Sequence, residues 1–449
     1  MEPKLYVTSK DGFFEEKDIF ECPDFMPAAQ QVRVDESDVL CRHRGFGVAI
    51  TGSSCYLLSR MTEEKRDAIL ADVYGKDGLA LSVGRLSVGS SDYSAELYCY
   101  NDTPDDLEME NFTVERDESY VIPMIREVIK HAPEIQLYAS PWSPPGWMKT
   151  GGSMCGGFMR GKYVDAMAKY MVRFAQEYEK RGVHIMGFTP QNEPETHQGG
   201  KMPASMLHPD IEAELILALR RELKANGMDV QIWMHDHNFG DAGRVEWLLD
   251  NYPELPGAVD GIGWHYYNGG VEFAVPIKEK YPHLSMHMTE GGPRLPDNYA
   301  TDWCKWGGIM SKMLNSGFET FTGWNLLLDQ HGEPNIGPFD CGGLITEDSY
   351  TGELSYSGQY KALRHFSGLM RPDAEICSVV VTNNGKKGKM SGNGDAISSL
   401  TFCAAKNPDG GRVLHAVNPS ADNVQVQLDL DGRKYYVRLA SNTLSSIIF

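Results

Sequence analysis

Two glutamates follow short apolar runs in settings that an ordinary loop rarely has: Glu193 in Gln191-Asn192-Glu193-Pro194-Glu195 and Glu290 in Met288-Thr289-Glu290-Gly291-Gly292. A lone glutamate at a strand end is most often solvated or salt-bridged. A pair carried to one rim from two strands reads differently. Two carboxylates facing across a sugar-sized gap supply the proton donor and the nucleophile or base that cleavage of a glycosidic bond requires. Pro194 and the Gly291-Gly292 pair are costly choices for a plain loop, and each fixes the backbone beside its carboxylate. Glu195 is a rival for the proton donor, but it lies further from its strand.

More polar and aromatic groups follow other apolar runs: Asp92, then Trp142 and Trp147, then His235-Asp236-His237-Asn238, Trp264-His265-Tyr266-Tyr267 and Trp324-Asn325. Aromatic faces stack on the C–H faces of sugar rings, while Asp and Asn grip hydroxyls, and ligand pockets have this make-up. Each aromatic taken singly suits barrel packing as well. Their convergence at strand ends is what favours a site. His235, Asp236, His237 and His265 offer a rival reading as metal ligands, but a lone His-x-His with a carboxylate is a weak zinc pattern. No metal and no cofactor is expected, and activity should survive a chelator.

These residues need a scaffold that brings strand ends together. Eight apolar runs alternate with helical patterns: Gly45–Ile50, Leu81–Val88, Ile135–Ala139, Ile185–Thr189, Val230–Met234, Gly261–His265, Ser285–Thr289 and Phe318–Asn325. Tyr163, Met167, Tyr170, Met171, Phe174 and Tyr178 form one helical stripe. Pro209 opens a second helix, with Ile211, Leu215, Leu219 and Leu223 as its stripe and Gly227 at its C′ position. Near-continuous apolar strands in repeated β–α units predict a parallel (β/α)8 barrel, whose chemistry sits at the C-terminal strand ends.

After about Arg371 the texture changes to short runs, Ser378–Val381, Ser398–Cys403, Arg412–Val417, Val424–Leu430 and Tyr435–Leu439, punctuated by turns such as Asn383-Asn384-Gly385 and Asp431-Gly432. That spacing predicts a β-sandwich. The first 40 residues hold no good helix, and Gln31–Val34 alternates like a strand. The α/β fold expected is thus a barrel over residues 44–370 with an attached β-sandwich built from residues 1–43 and 371–449.

Bulk properties exclude several classes. The chain has 449 residues, a net charge of −20 and a pI near 5.1, a balance that argues against nucleic acid or an anionic membrane as the main partner. Nine scattered cysteines without a Cys-x-x-Cys pair suggest free thiols rather than a disulfide framework. The first residues lack a basic stretch leading into an apolar one, and no apolar run reaches the length of a membrane span. A cytoplasmic protein, without membrane insertion, is the expectation. A homo-oligomer is compatible with the sequence, which does not address it.

The ordered series Gly45-Phe46-Gly47, Ser140-Pro141-Trp142, Trp147-Met148-Lys149-Thr150, Asn192-Glu193-Pro194, Thr289-Glu290, Trp324-Asn325-Leu326 and His365-Phe366-Ser367 resembles glycoside hydrolase family 30, within the clan of (β/α)8 retaining glycosidases. The resemblance runs from residue 44 onward and agrees with a sandwich made from both termini. It implies Glu193 as acid/base and Glu290 as nucleophile. It further implies that Asn192 bonds the sugar 2-hydroxyl, Tyr267 orients the nucleophile, and Arg85 lies beneath it as charge partner. Asp92, Trp147 and Trp324 would hold the sugar in the −1 subsite, and His265 is a further substrate-site residue.

The chain departs from the glucosylceramidase pattern at Gly291-Gly292, at Gly323 and over Gln198–Leu207. Those loops shape the leaving-group side, so the aglycone stays open. The expected substrate is an oligosaccharide or β-glycoside with a gluco-configured sugar. A xylosidase, fucosidase or β-1,6-glucanase specificity, or a sugar-binding protein without turnover, are the alternatives.

Overall fold

The computed structural model describes residues 2–22, 30–382 and 399–449. The expected turn at Asn383-Asn384-Gly385 and the start of the run at Ser398 lie outside them.

Eight parallel strands close into a barrel in sequence order. They are β1 (Gly45–Ala49), β2 (Val83–Ser87), β3 (Gln136–Ser140), β4 (Gly187–Phe188), β5 (Gln231–Asn238), β6 (Gly261–His265), β7 (Ser285–Glu290) and β8 (Phe318–Gly323). All eight coincide with the runs read from the sequence. Every residue of β1 and of β6 is buried, as strands packed against helices outside and side chains inside must be. The lumen is filled: Tyr138 lies 4.8 Å from Trp233, which stacks on His287 at 3.6 Å between ring centres. This aromatic layer forms the floor on which the upper polar residues rest.

The two helices read in most detail behave as their patterns dictate. Val164–Glu179 buries Met167, Tyr170, Met171, Phe174 and Tyr178, with Tyr163 in the short turn before it. Pro209–Ala225 starts with proline at its first position and buries Leu215, Leu219 and Leu223. Gly227 then takes φ +65°, and the Met228 N–H bonds back to the Leu223 carbonyl, which closes the helix in a left-handed turn.

Both chain ends enter a second body. Among the described residues its ten strands form one hydrogen-bonded series rather than two separate sheets. The fold-over is made by the long strand Gln30–His43, which pairs antiparallel with Ala374–Thr382 through two register shifts and parallel with Val424–Leu430. Bulges increase twist and bend a strand. The two halves then face each other across a common core in which Leu5, Leu414 and Ile447 meet Val426, Leu428, Tyr435 and Val437. A sandwich results. The hairpin Lys4–Ser9 with Gly12–Lys17 belongs to it and was not apparent in the sequence.

The other face of this sheet covers the barrel helix Trp303–Asn315, where a Cβ on Gly307 would meet Leu444 and Val417 at 3.3 Å. A small three-stranded sheet (Leu327–Asp329, Ile345–Glu347, Leu354–Tyr356), also not anticipated, follows β8. It carries the 330–343 loop over the barrel mouth.

Candidate active site

Local backbone devices aim the site residues. Between β5 and β6, Gly263 pairs with His235 and Trp264 with His237, which leaves Asp236 as the extra residue of a β-bulge. His235 and Asp236 take φ +76° and +52°, values that non-glycine residues rarely adopt. The strain is held by Glu212, a buried carboxylate that accepts the His235 N–H at 3.0 Å and the Arg244 Nε–H at 2.7 Å. Between β6 and β7, Trp264 pairs with Met288 and His265 with Glu290, so Thr289 is a second extra residue. Glu193 takes φ +50°, and its N–H donates to the Asp236 carbonyl at 3.0 Å. The backbone thus ties both glutamates to bulged strands.

Arg85 on β2 is the hub beneath them. Its Nη1 donates to Glu290 Oε2 at 2.5 Å, its Nη2 to Asp236 Oδ2 and Asn192 Oδ1 at 2.8 Å each, and its Nε to Ser140 Oγ at 3.2 Å. The guanidinium also lies 4.6 Å from the Trp142 ring and 5.6 Å from Trp324. On the other oxygen of Glu290 the Tyr267 hydroxyl donates at 3.0 Å. Glu193 is held by the Gln198 amide at 2.7 Å, and by His265, whose Nδ1 lies 3.3 Å from Oε1. His265 Nε2 in turn meets Asp236 Oδ1 at 3.0 Å. One oxygen of Glu193, one of Glu290 and a ring nitrogen of His265 lie within 4.8 Å of one another.

Burial sets the charges. For Asp236 desolvation is outweighed by Arg85, by His265 and by the Thr189 hydroxyl at 2.5 Å, so it stays ionised far below the usual carboxylate range. For His265 burial opposes charge, but Glu290, Asp236 and Glu193 raise its pKa to about 9, so it is an imidazolium at neutral pH. Burial pushes Glu290 up beyond what His265 and Arg85 recover, and the charge on Glu193 adds to the rise. For Glu193 burial is overcome by His265, His237 and Gln198, and its pKa falls. The Asp92 carboxyl is driven well above its ordinary value by burial and by both glutamates, and its Oδ1 is buried without a hydrogen-bond partner.

A cleft of about 540 Å³ opens on these groups, lined among others by Asp92, Trp142, Asn192, Glu193, Tyr267, Glu290 and Trp324. Arg85 and His265 lie just beneath as supports. Trp147 is a correction: it is not among the lining residues. Its indole donates to the Asn101 carbonyl at 2.9 Å and its ring packs edge-on against Tyr163 at 5.0 Å, a loop-packing role. Trp142 stands in its place, stacked on Trp324 at 5.1 Å.

His237 and Asn238, read from sequence at the same rim, also line it, while Thr196, Gln198, Met202, Arg294, Phe339 and Cys341 complete the wall and were not singled out from sequence. Arg294, Phe339 and Cys341 lie on loops after β7 and β8 whose course no local pattern reveals. The 330–343 loop is tied down by the Ile336 N–H on the Asp92 carbonyl at 2.7 Å and the Tyr93 hydroxyl on the Phe339 carbonyl at 2.9 Å. The glycines after the nucleophile are explained by space. A Cβ on Gly291 would meet Tyr266 at 2.7 Å, and one on Gly292 would meet Trp324 at 3.0 Å.

The four residues weighed as metal ligands do not converge. Asp236 and His265 pair with each other, the His235 ring packs on Trp264 at 4.9 Å, and His237 turns toward Asp241.

The chain is 25% identical to the mouse (Mus musculus) lysosomal acid glucosylceramidase, with 86% of this chain and 76% of that protein covered. It is 26% identical to an endo-1,6-β-D-glucanase of Neurospora crassa, covering 86% and 80%. A solved endo-β1,6-glucanase superposes with a TM-score of 0.87 at 22% identity over 99% of both chains. Residues 43–369 match the model of the glycosyl hydrolase family 30 TIM-barrel domain, and the chain therefore belongs to that family of glycosidases.

Proposed function

We propose that the protein hydrolyses β-linked glycosides of a gluco-configured sugar with retention of configuration. One observation carries this reading: a carboxylate oxygen of Glu193 and one of Glu290 lie within 4.8 Å of each other. Retaining enzymes hold the two groups about 5–5.5 Å apart, whereas inverting ones leave about 6.5–9.5 Å for a water.

In this reading Glu290 attacks the anomeric carbon while Glu193 protonates the departing oxygen. Attack needs Glu290 as the anion and Glu193 as the acid, yet in the free cleft the contacts lean the other way. Catalysis therefore needs the proton to move to Glu193 once the substrate is bound. A leaving-group oxygen entering beside Glu193 displaces the Gln198 amide and removes one contact that favours its anion. Arg85 and Tyr267 meanwhile keep two donors on Glu290. Once Glu290 is glycosylated its charge is gone, and Glu193 ionises readily to activate water. Asp92 takes sugar hydroxyls through its unpartnered oxygen, and Trp142 with Trp324 forms the apolar wall of the −1 subsite.

The relatives divide between glucosylceramide-type and β-1,6-glucan substrates, so the leaving group is decided by assay. A panel of nitrophenyl β-glycosides should show β-glucoside as the preferred −1 sugar, and proton NMR should show the β-anomer released first. Preference for xyloside or fucoside, or first release of the α-anomer, would overturn the reading. Hydrolysis of β-1,6-glucan rather than β-glucosides would move the specificity to the endo-glucanase alternative.

A further inference from the structure

A second cluster lies beside the acid/base, on the face of the cleft that Gln198 and Asn238 line. Glu195, His237 and Asp241 bring one donor atom each into a space where all three lie within 4.8 Å of one another. They come from three places in the chain: the loop after β4, the end of β5 and the turn before the helix Ala242–Asn251. His237 is 6% exposed, and its Nδ1 makes no hydrogen bond although Asp241 Oδ2 is 3.3 Å away. A buried ring nitrogen without a partner is a lone pair or an N–H left unmet, which folded proteins avoid.

We propose that Glu195, His237 and Asp241 form a binding site for a divalent transition cation, zinc above all, at the edge of the catalytic cleft. A tetrahedral zinc ion bound at about 2.0–2.1 Å places its ligand atoms about 3.3 Å apart, the separation already set between His237 Nδ1 and Asp241 Oδ2. One nitrogen and two carboxylate oxygens is a donor set that suits zinc.

Charge also balances. Arg244 contacts Glu195 at 3.1 Å, but it is neutralised by the buried Glu212 at 2.7 Å, so two carboxylates are left to offset a dication. Three protein ligands leave a coordination position for water or a ligand in the cleft. The proposal is independent of the sugar specificity above and of any part for a metal in bond cleavage.

The test is metal binding by the full-length, chelator-stripped protein, read by equilibrium dialysis with zinc and by the visible spectrum on adding cobalt. One equivalent of zinc at micromolar concentration and the intense bands of tetrahedral cobalt are expected. Asp241→Asn should weaken binding at least about tenfold and abolish the bands while the melting temperature without metal stays within a few degrees. Glu195→Gln provides a second variant should Asp241→Asn fold poorly. Glu193→Gln should retain binding. Absence of binding at about 100-fold excess zinc would overturn the proposal. So would a Glu193→Gln variant that loses the metal while Asp241→Asn keeps it, because the ion would then sit between the catalytic glutamates.

Discussion

Glu193 and Glu290 differ in what surrounds them, and the difference predicts distinct chemistry for their loss. Glu290→Ala removes the attacking group, so activity should drop by several orders of magnitude on every substrate. Glu193→Ala removes only proton transfer, worth roughly 10²–10⁴-fold. With a dinitrophenyl leaving group the first step should survive, and azide should rescue the second as a β-glycosyl azide. Azide rescue of Glu290→Ala should give the α product, since the anion replaces the nucleophile. Product stereochemistry by NMR checks both; an α product from Glu193→Ala would exclude double displacement.

The same pair predicts a pH shift. Glu290 is raised by burial and, in part, by the charge on Glu193. Replacing Glu193 with Gln removes that repulsion, so the carboxyl of Glu290 should ionise at lower pH. The acid limb of kcat/KM for the dinitrophenyl glycoside should therefore move down. An unmoved limb would mean the two groups do not sense each other.

The sequence pointed to both glutamates and to Asp92, Asn192, His265, Tyr267 and Trp324, and its family resemblance to Arg85; all lie in the cleft or directly beneath it. It misplaced Trp147. Trp142 and Trp147 are five positions apart on one loop, and no periodicity tells which ring a loop turns inward. The part of Asp236 as the anchor between Arg85 and His265 was also hidden, because it depends on an inserted residue in β5.

At the scale of elements, the strands were legible because both their faces are buried and their apolar runs are short and bounded. Their bulges were not. An extra residue leaves composition unchanged, and a strand buried on both faces has no alternation to break. The bulge at Asp236 should be the more fragile of the two, since it rests on one buried carboxylate. Glu212→Ala strips Arg244 of a partner and leaves the His235 N–H unmet, and breaking a buried ion pair costs about 3–5 kcal/mol. A lower urea midpoint with a fall in kcat is expected, and Glu212→Gln, which keeps an acceptor, should lie between. A Glu212→Ala protein as active as the parent would show that the bulge holds itself.

At the scale of the molecule, three histidines sit where the barrel meets the sandwich. His43 lies at the end of the long strand against Phe46, ring centres 4.2 Å apart. His365 bridges Thr8 at 2.8 Å and Ser446 at 2.7 Å, and His415 meets the same Ser446 at 2.7 Å. Burial lowers His43 and His415 to about 3 and His365 well below its usual value. All three are neutral in the fold, while the unfolded chain protonates them near pH 6.5. Between those limits the unfolded state binds more protons, so stability is full above about pH 6.5 and falls as pH drops toward 3. The slope is about 1.4 kcal/mol per pH unit for each histidine in its window. Melting temperatures from pH 7 to 5 should decline, and His43→Leu should flatten the decline; an unchanged slope would place the acid sensitivity elsewhere.

The last strand, Thr443–Ile448, lies between Lys4–Ser9 and Arg412–Asn418, paired to both. Lys4–Ser9 thus leaves the ribosome long before the neighbour it pairs with. At the usual pace of translation that interval is on the order of tens of seconds. During it both edges of the hairpin are open, and the helix Trp303–Asn315, once made, lacks the cover of the last strand. An open edge is a template for the wrong partner. The outer strand of the hairpin, Gly12–Lys17, ends in Glu15-Glu16-Lys17, and these side chains are exposed. That outer edge stays open in the finished sheet, and its charge discourages a second copy from docking there.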